Sequence, residues 1–322
     1  MNLLLSFDIL GYLYSPSVTN AIGALIVAFL LGLAHGITPD EHTWPITFSY
    51  SVGSYSSKGG IKSGLLFSTG FTIQRAVMSE IAYLGLALIF TIPIVEPLTY
   101  IIVGIVMFLS GAYILKSSRY FHTHFLEKFL HHHIIGKTDH VEEEHKVPSE
   151  LDEPRPVPTK MTLVHGVIAG FGFGAYATIV YFTLAPAMPS AYFGFLPGLF
   201  FGLGTMIMQI IFGFSFGKWI QRKKLGIKEI GYVGRKTGGR TLYYGGVAFA
   251  VVGILLLFFP AIDSFSITTP ILVHNLHELG AGFFLVVLTV GAIGSVSYVK
   301  SMREVLAKAS LSIRPNPNIE KK

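Results

Sequence analysis

Long apolar runs decide what this chain can fold into. A run of about 18 or more apolar residues can cross the hydrocarbon core of a bilayer as a helix, because each residue advances the helix by about 1.5 Å. Only 13% of the residues are charged, whereas about a quarter are charged in a typical soluble domain. Seven such runs occur, at residues 20–38, 64–93, 97–116, 161–187, 192–219, 241–262 and 271–298. The sequence therefore predicts an all-α polytopic membrane protein with about seven transmembrane helices, surrounded by membrane lipids and without a nucleic-acid partner.

The positions of lysine and arginine between the runs predict the orientation in the membrane. Connections rich in these residues stay on the cytoplasmic side. Seven of them lie between residues 222 and 240, which we expect to form a loop, and the segment after the last run carries others, including Lys300, Arg303 and Lys308. The connection at 259–270 has none. We therefore expect a multi-pass protein of the cell membrane with an external N-terminus and a cytoplasmic C-terminus.

One polar insertion divides the runs into two sets. Residues 117–160 separate a first transmembrane half at 1–116 from a second half at 161–322, which ends in an additional helix and a tail. Three runs per half reverse the second half relative to the first, which predicts a 3+3 inverted repeat, a common design in transporters. The segments LLGLAHGITP and IAGFGFGAYA are the expected counterparts in the two halves.

A histidine–aspartate motif, LAHGITPDEHTWP, lies at the expected inner end of the first run. His35, Asp40 and His42 supply two imidazoles and a carboxylate, a set that suits Ni²⁺, Co²⁺ or Zn²⁺. Pro39 has no N–H for the carbonyl of His35, so we expect the helix to unwind here and free carbonyls as further ligands, as in discontinuous transporter helices. The alternative is a polar cap at the point where the helix leaves the membrane.

Histidine is concentrated in the polar insertion, where Glu142, Glu143 and Glu144 lie beside it. Histidine-rich tracts bind transition metals with little fixed geometry. We expect this segment to capture metal inside the cell, and the alternative is a solvated linker without a function. Its seven histidines are His122, His124, His131, His132, His133, His140 and His145.

A second polar cluster, HNLHELGAG, opens the last run near the predicted outer face. His274, His277 and Glu278 are spaced i, i+3 and i+4, so on a helix they would share one face. This spacing predicts either a second metal site or a structural polar cluster. The HExxH order of zinc proteases and its inversion do not occur in the sequence.

Five further polar residues lie within the apolar runs. Such residues usually pair with one another or mark a transport path. Arg75 and Glu80 are five positions apart and would not face each other on one helix, so each is expected to pair across the bundle in a structural role. The full set is Gln74, Arg75, Glu80, His165 and Gln209.

The first motif resembles the histidine–aspartate motif of the nickel/cobalt transporter family (NiCoT), in which His is followed after four residues by Asp-His. It is also similar to the HG-x-x-P element of the related nickel/cobalt efflux proteins of the LysE-type transporter superfamily, which often carry a histidine-rich cytoplasmic loop. LLFSTGF, FGFGAYAT and LPGLFFGLGTMIMQ resemble three more NiCoT elements, in the same order. The resemblance implies a transporter of nickel or cobalt.

Several positions depart from the family pattern. Glu41 is inserted within the first motif, and Phe71 stands where the family has a histidine. Gly174 and Gln209 stand where it has aspartates. The resemblance therefore supports the architecture more strongly than the cargo.

The sequence thus predicts a secondary transporter of divalent transition-metal cations, with Ni²⁺ or Co²⁺ as the cargo and no required cofactor. The sequence has no cysteine and no GxxxxGK[ST] motif, which excludes thiolate metal sites and a P-loop nucleotide site. One alternative is a transporter of another small solute on the same scaffold. A second alternative is a membrane metalloenzyme, but the two polar clusters are expected on opposite sides of the membrane. We therefore predict that the protein is not an enzyme.

Overall fold

Helices account for nearly all of the described structure. The structure is a computed structural model, and it describes residues 20–86, 88, 92–116, 159–172, 174–262, 264–271 and 276–312. Within these ranges the β-structure is a pair of two-residue antiparallel strands. The predicted all-α membrane protein is confirmed. The 117–158 part of the insertion lies outside the described residues, and so do its seven histidines.

Four helices lie in the described part of the first half. Helix α1 (Ala21–Ile37) is followed after a short break by α2 (Trp44–Gly53). Helix α3 (Ser57–Ile81) continues as a π-helical turn over Ala82–Leu86, and α4 (Val95–Lys116) completes the half.

The second half repeats this sequence of segments and adds a terminal helix. The helices are α5 (Thr159–Ala169), α6 (Ala175–Ile179), which continues as a π-helix over Val180–Leu184, α7 (Leu196–Gln221) and α8 (Ile227–Phe258). Two 3₁₀ turns cover Ala191–Phe193 and Pro260–Ile262. Strands β1 (Ile267–Thr268) and β2 (Glu278–Leu279) precede α9 (Ala281–Val286), a π-helix over Val287–Gly294 and α10 (Ser295–Ser312).

Four helical segments of the described chain are long and apolar enough to cross a membrane. They are Val95–Lys116, Ala191–Gln221, Ile227–Phe258 and Ala281–Ala307. The other three predicted runs are helical too, but two of them are interrupted and the third, α3, carries charged residues. The large apolar side chains exposed along these helices, such as Val77, Leu109 and Val251, face the position of the lipid.

Antiparallel helix pairs form the centre of the bundle. A Cβ on Gly60 of α3 would overlap the carbonyl oxygen of Gly213 on α7, and at the other end of the pair Gly198 meets the backbone of Arg75. Helices α4 and α8 pack in the same antiparallel way, with Gly104 against Gly246. Since equivalent helices of the two halves run in opposite directions, the packing agrees with the predicted inverted repeat.

The first span is longer than predicted and discontinuous. Helix α1 packs along α7 in the same direction, with Gly32 on Phe201 and Gly36 on Met208. Helix α2 continues down α7, where Trp44 packs on Phe212 at 4.9 Å between ring centroids. The break at residues 38–43 therefore lies opposite the middle of α7. Our expectation that the histidine–aspartate motif lies at the inner end of the span is wrong.

The basic segment after α7 differs from the prediction. It was expected to be a loop over 222–240, but α8 already begins at Ile227. Its glycines pack closely on α2, with Gly234 against Val52 and Gly238 against Ser49. This packing keeps a glycine-rich segment helical, so four of its seven lysines and arginines lie on helix α8 instead of in a loop. We call this end of the bundle, near Lys218 and Arg222, the basic end, and the opposite end, with β1 and β2, the hairpin end.

Candidate functional site

The break between α1 and α2 forms where the sequence predicts it. Thr38 is extended (φ −78°, ψ 148°), and its hydroxyl donates to the carbonyl of His35 at 3.0 Å. Pro39 has no N–H, so it cannot continue the helix. The new helix begins when the N–H of Trp44 donates to the carbonyl of Asp40 at 2.9 Å. The predicted unwinding at the motif is confirmed.

A polar cavity of 460 Å³ adjoins this break. Buried residues of the motif line its deep end, and the exposed residues Ser264, Ser266 and Glu278 line its rim. The cavity therefore opens at the hairpin end. Its ionisable lining residues are His35, Asp40, Glu41, His42, Arg75, Glu96, Tyr100, Tyr176 and Glu278.

The motif places two imidazole–carboxylate pairs next to each other. Nδ1 of His35 lies 3.8 Å from Oδ2 of Asp40, and Nε2 of His42 lies 3.3 Å from Oε1 of Glu41. The other oxygen of Asp40 accepts a hydrogen bond from the backbone N–H of His42 at 3.0 Å, which fixes the turn. The hydroxyl of Tyr100 donates to Oε1 of Glu41 at 3.0 Å.

Two polar atoms of this cluster are available to bind a metal ion. Oε2 of Glu41 and Nδ1 of His42 are buried, and neither has a hydrogen-bond partner among the described residues. Two ligands of one transition-metal ion, each at about 2.0–2.2 Å from it, lie about 3–3.5 Å apart. The distance of 3.3 Å between His42 and Glu41 falls in this range, and the distance of 3.8 Å between His35 and Asp40 lies slightly above it. Within the described part of the chain, however, no three His, Asp or Glu side chains are placed to hold one ion together.

Phe71, Gly174 and Gln209, the positions at which we expected the sequence to depart from the NiCoT pattern, lie in three different surroundings. The ring of Phe71 stacks on His35 with 5.6 Å between centroids. Gly174 lines the cavity without a side chain. Gln209 lies closer to the basic end, where its carbonyl oxygen accepts from Thr47 at 2.5 Å.

Arg75 and Glu80, two of the polar residues predicted within the spans, contact different partners. Arg75 bonds across the bundle to Tyr181 and Gly172, as expected, and it lines the cavity. Glu80 lies against Gly194, and its buried Oε2 has no hydrogen-bond partner in the described ranges.

Two buried polar side chains of the set lie outside the cavity. Nδ1 of His165 is 2.8 Å from the hydroxyl of Tyr50. Gln74 packs on Gly170, at the end of α5, and its amide atoms have no hydrogen-bond partner within the described chain.

The second polar cluster is not on a helical face. Glu278 belongs to β2 and pairs with Thr268, and the helix starts only at Ala281. The prediction of one face is wrong because the chain is extended through Gly280 (φ −95°, ψ −165°) before α9. His277 bonds instead to the carbonyl of Thr269 at 2.8 Å. His274 lies outside the described residues.

The structure also corrects the expected distance between the two clusters. Glu278 lines the same cavity as the histidine–aspartate motif, so the two are not on opposite sides. The prediction was wrong because it treated α1 as a complete transmembrane span, whereas the C-terminal end of α1 lies only halfway along α7.

Sequence reasoning missed two contributors to the site. Tyr100 bonds to Glu41, and Glu96 lines the cavity beside it. Both lie in the first turns of α4, and the signal available was a tyrosine and a glutamate at the start of an otherwise apolar run. Comparisons with protein-family models, curated proteins and solved structures give no match, so the geometry of the cavity carries the functional argument.

Proposed function

We propose that this protein is a secondary transporter whose cargo is a divalent transition-metal cation, Ni²⁺ or Co²⁺. One observation carries the proposal, namely two imidazole–carboxylate pairs at a helix break halfway along a span, at the deep end of an open cavity. Discontinuous helices of this kind form cargo sites in many transporters. No P-loop occurs in the sequence, so transport would be driven by a gradient, the membrane potential or a partner.

The charges of the cavity favour a cation. Four carboxylates line it, from Asp40, Glu41, Glu96 and Glu278, against one guanidinium. Imidazole nitrogens favour Ni²⁺ and Co²⁺ over Mg²⁺, which prefers oxygen ligands and gives up its water reluctantly. The cavity is thus suited to a cation that accepts nitrogen ligands.

Buried, packed side chains lie between the cavity and the basic end in the described part of the chain. Phe67 and Phe71 are fully buried, and the hydrogen bond between Thr47 and Gln209 ties α2 to α7. Release at the basic end would require α2 to move away from α7. We propose that the hairpin end faces outward and the basic end inward, since lysine and arginine are retained on the cytoplasmic side.

The proposed orientation can be tested by labelling introduced cysteines. In this cysteine-free chain, Ser266→Cys at the cavity rim should react with an impermeant maleimide added to intact cells, because Ser266 is exposed at the hairpin end. Lys224→Cys, exposed at the basic end, is the matched control and should react only after the membrane is permeabilised. The reverse pattern would overturn the orientation and place the histidine-rich insertion outside.

The function itself is tested by flux in proteoliposomes. The purified wild-type protein should carry Ni²⁺ and Co²⁺ at rates at least about tenfold above Mg²⁺, because only the former gain from the imidazoles. Empty liposomes and protein-containing liposomes without a gradient are the controls. Equal rates for all cations, or no cation flux from folded protein, would contradict the proposal.

A second candidate is a transporter of another small solute, and two observations favour it. Arg75 places a positive charge in the wall of the cavity, and three of the family's ligand positions are occupied by Phe71, Gly174 and Gln209. Because both polar clusters line one cavity, their separation no longer argues against a membrane metalloenzyme. Measured flux of the metal ion across the membrane distinguishes the proposed transport from both alternatives.

A further inference from the structure

Arg75 is a deeply buried cation. It is 3% exposed, it lies near the hairpin-end half of α3, and it lines the cavity. The carbon of its guanidinium lies 4.7 Å from the centroid of the Phe71 ring and 5.5 Å from that of Phe201. These aromatic contacts cover part of the group and hold it in place.

The hydrogen bonds of Arg75 are incomplete. A guanidinium has five N–H donors. Nη1 donates to the hydroxyl of Tyr181 at 3.0 Å and Nη2 to the carbonyl of Gly172 at 2.8 Å. Nε has no acceptor among the described residues. Both acceptors are neutral, and the ion pairs found in the described chain do not include Arg75.

A buried guanidinium without an ion-pair partner favours the binding of an anion. Burying a charge without a direct ion-pair partner is costly, more so within a membrane, and none of the four carboxylates that line the cavity is ion-paired with Arg75 in the described chain. A carboxylate matches the missing partner, because its two oxygens accept from Nε and an adjacent Nη in parallel. The open cavity supplies the space for such a ligand beside the guanidinium.

We propose that Arg75 binds a carboxylate group inside the cavity. Gly172 connects this anion site to the motif, since its carbonyl accepts from Arg75 and a Cβ added to it would overlap the ring of His42. A carboxylate on Arg75 would thus lie beside a cation on His42. The pairing of the two ions rests on the proposed metal transport, whereas the anion site itself does not. The carboxylate would come from a free small anion or from a chelating ligand carried with the metal.

Calorimetric titration of the purified full-length protein with acetate, at constant ionic strength in chloride, tests the anion site. Acetate should bind the wild type saturably and bind Arg75→Gln at least about tenfold more weakly, because a charge-assisted pair is lost. Arg75→Met, which fills the same space without a charge, is the second variant in case the first does not fold. Arg240→Gln is the matched control, since Arg240 pairs with Glu304 at 2.8 Å away from the cavity, and it should bind like the wild type.

A second titration separates the sources of the carboxylate. If saturating NiCl₂ raises the affinity for acetate, the anion enters as a ligand of the metal, and if the affinity is unchanged, it binds as a free ion. Both results support the site. No saturable acetate binding to the wild type, or equal affinity in the charge-free variants, would overturn it. If acetate binds but Ni²⁺ does not, the result contradicts the metal cargo and still supports the anion site.

Discussion

Gly213→Ala is expected to destabilise the bundle by about 1–3 kcal/mol or more, the cost of forcing extra atoms into a packed interior. A Cβ on Gly213 would overlap the carbonyl oxygen of Gly60, and a Cβ on Gly60 would overlap that of Gly213. Neither contact involves a flexible side chain, so the backbones of α3 and α7 would have to separate. Close backbone approach through small residues is a main source of helix association in membranes.

The expected result is a lower melting temperature in detergent, measured by size-exclusion chromatography after heating. Gly291→Ala is the matched control, because among the described residues a Cβ there meets only Val287, at the ordinary distance of 3.9 Å. It should melt with the wild type. Equal melting of the two variants would show that the α3–α7 contact is not close enough to exclude a methyl group.

The limits of prediction from sequence are clear in helix α2. Its residues WPITFSYSVG do not form a long apolar run, so hydropathy ends the first predicted span at Thr38. Two of its hydroxyls are satisfied inside the bundle: the hydroxyl of Ser49 donates to the carbonyl of Pro45 at 2.6 Å, and that of Thr47 donates to Gln209. Only the packed structure shows that these hydroxyls are compatible with membrane depth.

Local chemistry was predicted better than long-range placement. The missing N–H of Pro39 is sufficient to predict the break, because that effect depends on adjacent residues alone. By contrast, Glu278 and Tyr100 reach the cavity through helix packing, which no spacing in the sequence encodes. The resemblance to the nickel/cobalt transporters stays a prediction, as do the metal cargo and the role of the insertion.

Replacing Asp40 by Asn is expected to reduce Ni²⁺ transport at least tenfold. The oxygen of Asn can still accept from the backbone N–H of His42, so the turn should survive. The group facing His35 would become an NH₂, which has no lone pair for a metal. Even residues that only support metal ligands typically contribute about 10–100-fold to affinity.

His42→Ala and His35→Ala should be at least as damaging, since each removes an imidazole from one of the two pairs. His140→Ala in the insertion removes the same group from a segment outside the predicted spans, and it should transport like the wild type. The three cavity variants keep the glycine contacts between α3 and α7, so we expect them to fold.

Initial rates of Ni²⁺ uptake into proteoliposomes, at equal incorporation of each folded variant, test the cavity as the cargo site most directly. A cargo site at the helix break predicts wild-type rates for His140→Ala and at most a tenth of that rate for Asp40→Asn and His42→Ala. Wild-type Ni²⁺ rates in the Asp40→Asn and His42→Ala proteins would contradict it, and would make the break a structural cap in a protein whose cargo is bound elsewhere.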